Sequence, residues 1–521
     1  GNNNVAVGRQ AFRLNTTGTQ NTAIGSGALK ANTTADNNVA VGVDTLDANT
    51  TGANNTAVGK AALTTNTTGA SNVAIGVEAS KANTTGAANV SVGKEAMLAN
   101  TTGASNVAIG QDTMKANTTA AQNVAVGQNS LSANTTGGNN TALGRSALAA
   151  NTTAANNTSL GHDSMVANTT GASNTAVGQA SLVANTTGAF NTAVGRNALT
   201  ANTTAADNVA IGRNAMVANT TGAGNVAVGS FTLEASTDTV RNTMIGNQAG
   251  GSLTGGANGG DNVAVGFCAL RFGTTAGSNS ALGSCALYTN TTGDTNTAVG
   301  AVSLYASTTA SSNTAVGYNS LCSNTTGSAN VAIGRLALDS NTTADDNTSV
   351  GNNSMSAITT GAGNTAVGSG ALNNAVTGDN NVAIGDLAGT DAVGNITGSG
   401  SGQIVLGNNS STGAKIKIDW TVTSDLRDKT NIENVPHGLN FVNQITPIKY
   451  RFKTSRKNDT PTGVTRYGFK AQEILALEGE NPVLVDNGDT DNLKLTGAYL
   501  IPVLVNAIKE LKTEIDELKN K

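Results

Sequence analysis

Asn38-Val39-Ala40-Val41-Gly42-Val43-Asp44-Thr45-Leu46-Asp47-Ala48-Asn49-Thr50-Thr51-Gly52-Ala53-Asn54 is followed at once by Asn55-Thr56-Ala57-Val58-Gly59. The second stretch restarts the first. The glycine recurs every 17 residues from Gly8 to Gly246, takes a 20-residue step to Gly266, and resumes at 17 to Gly385. A 22-residue step reaches Gly407, the last of 24 copies. A fixed short period of this kind is the signature of a stacked repeat architecture.

Each place in the repeat has a physical reading. Val, Ile or Leu precedes the glycine (Val7, Ile24, Val41) and is expected at the core of a short strand. Two residues earlier, on the same strand face, stands Val, Thr or Ser. The Ala between them (Ala6, Ala23, Ala40) is expected where another backbone approaches closely. Leu or Met four residues after the glycine (Leu29, Leu46, Leu63) is expected to form the second wall of a thin core. Asn4, Asn21, Asn38 and Asn55 open a series that runs to Asn381, with Gln403 in the last copy. Coils stacked at about 4.8 Å would place these amides in hydrogen-bonding reach, as a ladder; the other reading is Asn merely tolerating a turn. Asn-Thr-Thr-Gly is turn chemistry, and its match to the glycosylation sequon follows from the repeat itself.

One unit of this length cannot bury its apolar stripe alone, so the copies must stack into a parallel β-roll or β-solenoid. Twenty-four coils at about 4.8 Å give a rod of roughly 115 Å. A core so thin, with Ala at the close-approach position, predicts several chains sharing one axis.

Composition divides the chain near residue 415. Residues 1–414 carry 31 charged side chains and residues 415–521 carry another 31. All five prolines, Pro436 to Pro502, and the single Trp420 lie in the second part. The expected domains are a repeat shaft over 1–389, a tip with the last repeat over 390–423, and a domain of ordinary globular composition over 424–521. Net charge is −4 and gives no basic patch for nucleic acid. No apolar run reaches 18 residues, so membrane insertion is not expected. Opening on Gly1-Asn2-Asn3 without Met, the chain is expected to carry no signal peptide. Three cysteines are too few for a disulfide framework. Cys268 and Cys285 share one slot in adjacent coils, as a disulfide or as small buried fillers. No phosphate-binding loop, dinucleotide fingerprint or zinc cluster occurs, so neither cofactor nor metal is expected.

The Asn-x-Ala-(Val/Ile)-Gly-x-x-Ala pattern resembles the heads of trimeric autotransporter adhesins, which are left-handed parallel β-rolls. Their repeat is shorter, and the extra residues here fall in the Asn-Thr-Thr-Gly turn. The pattern is also similar to bacteriophage tail-fibre shafts. The C-terminal part resembles the intramolecular chaperone of phage tailspikes and endosialidases. The resemblance rests on Ser424-Asp425-Leu426-Arg427-Asp428-Lys429 with Asn431-Ile432, then Gly438-Leu439 with Pro447-Ile448-Lys449-Tyr450-Arg451. Gly468-Phe469-Lys470-Ala471-Gln472-Glu473 and Tyr499-Leu500-Ile501-Pro502 complete it.

That resemblance implies a domain that trimerises a fibre and then cuts itself off between Thr423 and Ser424. Ser424 and Lys429 would be the dyad, with Asp425 and Arg427 as possible support. A serine needs an adjacent base, and a desolvated lysine can serve. Cis-proteolysis would be the only enzymatic act. Some members of the family use a histidine, but His437 does not align with it and is read as a loop histidine in Pro436-His437-Gly438. The terminal stretch has its own signal. Ile501, Leu504, Ile508, Leu511, Ile515 and Leu518 are spaced as a coiled-coil seam. Ile and Leu alternating would by rule favour a dimer, whereas the resemblance implies a trimer. Packing of this helix on its own domain is the alternative.

Six of the eight shaft aromatics lie between 231 and 318: Phe231, Phe267, Phe272, Tyr288, Tyr305 and Tyr318. Tyr288 and Tyr305 occupy one position in consecutive coils and should stack outside the rod. Exposed aromatics suit glycan binding, and drift in a tolerant repeat is the bland reading. Trp420 marks the tip as a second candidate surface. The sequence thus reads as the distal part of a homotrimeric phage tail fibre, mainly β, ending in a small α+β chaperone and coiled-coil helix. It would act outside the host cell, as part of the virion, on a cell-surface glycan or protein receptor. Other tail proteins are expected to bind through a preceding segment, since the chain starts inside a repeat. A bacterial trimeric adhesin would need a membrane barrel that residues 415–521 do not spell out. A polysaccharide-degrading fibre would need paired carboxylates.

Overall fold

The computed structural model describes residues 1–521 except 256–258, 392–393, 412–423, 481, 489 and 492. It divides into two compact units. The first holds Gly1–Ile384 with Ile396–Ile404, and the second Gly385–Asn395 with Val405–Lys521.

The first unit is a parallel β-solenoid. Each repeat contributes one three-residue strand, from β1 (Val5–Val7) and β2 (Thr22–Ile24) to β23 (Val382–Ile384). Neighbouring strands pair in register, Val5 with Thr22, Ala6 with Ala23 and Val7 with Ile24. The 20-residue step keeps that register, with Thr243 against Val263.

The strand faces are the reverse of the sequence expectation. Ala23, Ala40 and Ala57 point into the coil and are fully buried. The residues on either side, taken above as core, point out: Val7 is 57% exposed, Ile24 40% and Leu143 43%. The width of the coil explains this. A 17-residue turn leaves room inside for one small strand residue facing one large turn residue. That large residue is Leu29, Leu46, Leu63 or Met97, each fully buried. Burying it is worth about 1.5–3 kcal/mol per coil. The same residue sits in the left-handed region, at φ +49 for Leu29 and +52 for Leu46. That conformation costs about 1–2 kcal/mol, which the burial offsets. The repeat glycine is required for two reasons. Gly25 has φ +135, and a Cβ there would lie 2.2 Å from the carbonyl oxygen of Gly42 in the next coil.

Size changes inside the coil are matched. Met244 replaces the inward Ala in β15 (Thr243–Ile245), and Gly250 replaces the large turn residue of that same coil. A Cβ on Gly250 would be 3.0 Å from the Met244 sulfur. Ser91, another inward replacement, meets Ser80, which stands where Leu is usual; their hydroxyls are 2.9 Å apart and buried.

Two columns of asparagine run through the interior. The first contains Asn4, Asn21, Asn38 and Asn55. The backbone N–H of Asn21 donates to Asn4 Oδ1 at 2.9 Å, Asn38 to Asn21 at 3.0 Å and Asn55 to Asn38 at 2.9 Å. Each side-chain NH₂ then reaches a turn carbonyl, as Asn38 Nδ2 does to Gly52 at 3.0 Å. The second column is the Asn of Asn-Thr-Thr, which the sequence reading left as turn chemistry. Asn32 Nδ2 donates to Asn15 Oδ1 at 3.0 Å and to Ala35 at 3.1 Å. Asn32, Asn49 and Asn66 are fully buried. This burial closes the sequon question on physical grounds, because those amides face the core. Where the second column breaks, an amide oxygen is orphaned. Asn219, Asn290 and Asn341 have buried Oδ1 atoms without a partner. Seventeen residues after them stand Ser236, Ser307 and Ile358.

The second unit contains strand residues Val405 and Leu406 and then a small α+β fold. Helix α1 (Leu439–Gln444) is followed by a hairpin of β25 (Ile448–Ser455) and β26 (Asn458–Gly468). Helix α2 (Ala471–Glu478), the short pair β27 (Val485–Asp486) and β28 (Lys494–Leu495), and helix α3 (Leu500–Lys519) complete it. Its core gathers Phe441, Ile474, Leu484, Val485, Leu500 and Val503. The Glu478 carboxylate accepts the backbone N–H groups of Val483, Leu484 and Val485 at 2.9, 2.7 and 3.1 Å, fixing the chain between α2 and β27. Helix α3 uses Leu500, Val503 and Ala507 for its own domain. The heptad residues lie elsewhere: Ile501, Leu504, Ile508, Leu511, Ile515 and Leu518 are all exposed in the single chain.

Candidate functional site

Asp425 caps a single 3-10 turn over Leu426–Asp428. Its carboxylate accepts the Arg427 backbone N–H at 2.9 Å, and the Arg427 guanidinium forks onto both oxygens, at 3.1 and 2.6 Å. That guanidinium holds the Asp425 carboxyl below the usual carboxylate range. The Lys429 backbone N–H closes the turn on Leu426 O at 3.2 Å. The turn thereby reverses the chain so that Lys429 Nζ donates to Ser424 Oγ at 2.8 Å. A nucleophile and a base candidate five residues apart are brought into contact by the turn that Asp425 and Arg427 hold. Ser424 and Lys429 are both exposed within the single chain. The desolvated setting expected for the lysine is therefore not built by this chain's described residues. Thr423, the other side of the expected cleavage point, lies outside the described residues, as does Trp420.

His437 stacks on Phe441, with ring centroids 4.1 Å apart. Asn506 Nδ2 donates to the His437 carbonyl at 3.0 Å. These contacts tie the start of α1 to α3 and bring the ring nowhere into the Ser424–Lys429 contact. Among the described residues, no three His, Cys, Asp or Glu side chains group as metal ligands, and no helix is long and apolar enough to cross a membrane.

The shaft aromatics fall into two sets. Tyr288 and Tyr305 stack at 4.9 Å with planes 3° apart, and Phe272 meets Tyr288 edge-on at 5.0 Å. Arg271 lies 5.2 Å over Phe272, and Arg213 lies 4.6 Å over Phe231. The faces of these rings are thus largely taken. Phe267 and Tyr318 are 56% and 52% exposed, and among the described residues neither is paired with another ring. Cys268 and Cys285 are free thiols, and burial pushes the Cys268 thiol up.

Sequence reasoning missed the outward apolar stripe. Ile24, Ile75, Ile109, Leu143, Leu160, Ile211, Ile245, Leu282, Ile333 and Ile384 stay between 39% and 52% exposed. The signal was present, since the residue before the glycine never turns polar, but its direction could not be read from a three-residue strand.

Residues 424–483 match the family model described as the chaperone of endosialidase. The match opens on Ser424 and includes Lys429. No curated protein and no solved structure matches the chain. The fold and this match define a class: a long parallel β-solenoid of 17-residue coils followed by an endosialidase-type chaperone domain. The matched segment carries the Ser424–Lys429 contact.

Proposed function

We propose that this chain is the distal part of a bacteriophage tail fibre, a homotrimer that serves host adsorption from the virion. Its C-terminal domain guides trimer assembly and then releases itself between Thr423 and Ser424. The observation that carries this reading is the 2.8 Å contact of Lys429 Nζ with Ser424 Oγ inside the matched segment.

In the proposed step, neutral Lys429 takes the Ser424 hydroxyl proton as Oγ attacks the Thr423 carbonyl carbon. A C–O bond forms, the Thr423–Ser424 C–N bond breaks, and the Ser424 nitrogen takes up the proton as it leaves as an amine. Water then hydrolyses the Thr423 ester to a carboxylate and restores the hydroxyl. Because the dyad is open to water in one chain, a second copy supplies the wall that strips water from Lys429. Cleavage thereby waits for assembly.

Two surfaces support the trimer: the outward Val/Ile stripe of the shaft and the exposed heptad face of α3. For the receptor, Phe267 and Tyr318 offer free aromatic faces of the kind on which sugar rings stack. Phe231, Tyr288 and Tyr305 contribute edges to the same region.

Denatured intact mass of freshly purified protein tests the reading. Fragments ending at Thr423 and beginning at Ser424, absent in Ser424→Ala and Lys429→Met, are expected. A single uncleaved wild-type species, stable for days, removes the dyad assignment and leaves the domain as a trimerising cap.

A further inference from the structure

The second asparagine column changes character part-way along the shaft. From Asn32 onto Asn15 up to Asn219 onto Asn202, each coil donates a side-chain amide to the one before at 2.8–3.2 Å without a gap. The next places in the column are Ser236, Leu253, Gly273, Asn290 and Ser307. Across these five coils no rung of that kind is present, and the buried oxygens of Asn219 and Asn290 are left without donors. The first column runs on undisturbed through the same coils. Asn262 N–H meets Asn242 Oδ1 at 3.0 Å even across the 20-residue step. Leu253 in this stretch, and Ile358 and Ala375 near the C-terminal end of the shaft, fill the second column with apolar side chains and are completely buried.

Here, then, the strand corner keeps its side-chain ladder, and the turn corner loses it and is held by its backbone bonds, as Thr274 N–H to Thr291 O and Thr291 N–H to Thr308 O, both at 2.8 Å. The surface beside that corner changes over the same span. In the N-terminal half it carries charge pairs: Lys30 with Asp47, Lys81 with Glu78, and Lys115 with Glu95 and Asp112. In the coils that lose the second ladder the lysine places are taken by Arg271, Tyr288 and Tyr305, and the rings stack from coil to coil. The aromatic stack joins three coils from outside, over the stretch where Gly273 and Ser307 carry no side-chain amide inside.

We infer that the described residues 236–255 and 259–310 form a joint in the shaft, a segment whose turn corner opens locally while its strand corner holds, with the Phe272–Tyr288–Tyr305 stack as its clasp. Local opening of this kind precedes global unfolding where interior bonds are fewest. The shaft then bends at this place.

Amide hydrogen exchange on the full-length protein reads this directly. The backbone bonds by themselves give no reason for a difference. Thr274 N–H bonds to Thr291 O at 2.8 Å, and its counterpart Thr84 bonds to Thr101 at 2.9 Å. Exchange at the turn-corner amides of residues 250–254, 273–275 and 307–309 is expected to be tenfold faster than at 66–68, 83–85 and 117–119. A ratio below threefold overturns the joint, and any larger ratio supports it. Two variants separate ladder from clasp. Ser307→Asn is expected to slow exchange at 290–309 at least threefold, and Tyr288→Ala to speed it. An unchanged rate in a folded Ser307→Asn protein overturns the missing ladder as the cause. Should that variant fail to fold, the wild-type ratio alone decides.

Discussion

Asn290 and Ser307 occupy the same place in consecutive coils, and the serine cannot give the buried Asn290 Oδ1 the hydrogen bond that an asparagine there would. Asn324, one coil further, likewise donates its side chain only to Gly327 O, at 2.8 Å. Ser307→Asn restores both rungs at once and satisfies the orphan. A buried unsatisfied acceptor costs about 1–3 kcal/mol. The variant is therefore expected to gain about 1–2 kcal/mol, read as a higher denaturant midpoint with unchanged slope. A loss of stability would mean that the coil has closed around serine and has no room for the amide.

Met244 and Gly250 share one volume. Met244→Ala alone leaves a cavity and is expected to cost about 2–4 kcal/mol. Gly250→Leu alone pushes into the Met244 sulfur, a Leu253 methyl and a Leu233 methyl, 3.0, 3.2 and 3.3 Å from the new Cβ, and is expected to cost about 1–3 kcal/mol. The double variant restores the usual inward Ala and turn Leu, with Leu253 still in the asparagine place, and the backbone at Gly250, with φ +59, already suits the left-handed Leu of other coils. A double-mutant cycle by chemical denaturation should return most of both losses. Simple additivity would show that the two sites do not share space.

Glu95 receives Lys115 at 2.5 Å and Lys94 at 3.2 Å, and the hydrogen bond from Lys115, then that from Lys94, pulls its carboxyl down to about 2. A carboxylate depressed on folding contributes stability above its unfolded pKa of about 4.3, and loses it as pH falls toward 2. Thermal midpoints of wild type and Glu95→Gln should differ at pH 7 and converge between about pH 4.3 and 2. Since the group is at the surface, 1 M salt should also narrow the gap. A gap that persists at pH 2 would assign the effect to packing.

The outward stripe predicts an assembly defect without a folding defect in the coil. Ile75→Asp, Ile109→Asp and Ile211→Asp together leave the inward Ala and Leu untouched. Under the trimer proposal, sedimentation should show dissociated or aggregated chains with a preserved β circular dichroism signal. An intact trimer of normal stability would place the shaft contact on another face.

Period, strand position and the first asparagine column were legible in the sequence, because each depends only on residues recurring at one spacing. Ser424 and Lys429 were legible as a pair only through resemblance, since two such residues five apart carry no signal of their own. Their contact depends on the turn that Asp425 caps. The second asparagine column hid in plain view: Asn-Thr-Thr-Gly is turn chemistry by composition, and nothing local tells a solvated turn amide from one stacked inside.

The sequence by itself determined that this chain stacks 17-residue coils in register, because no single coil can bury its own apolar residues. It also determined where the period lengthens, at the 20- and 22-residue steps. Only the tertiary structure decided which face of each strand is the interior. A strand of three residues alternates once, so Val-Ala-Val fits either orientation. The choice falls to the space across the coil, where one Leu and one Ala fit and two branched side chains do not.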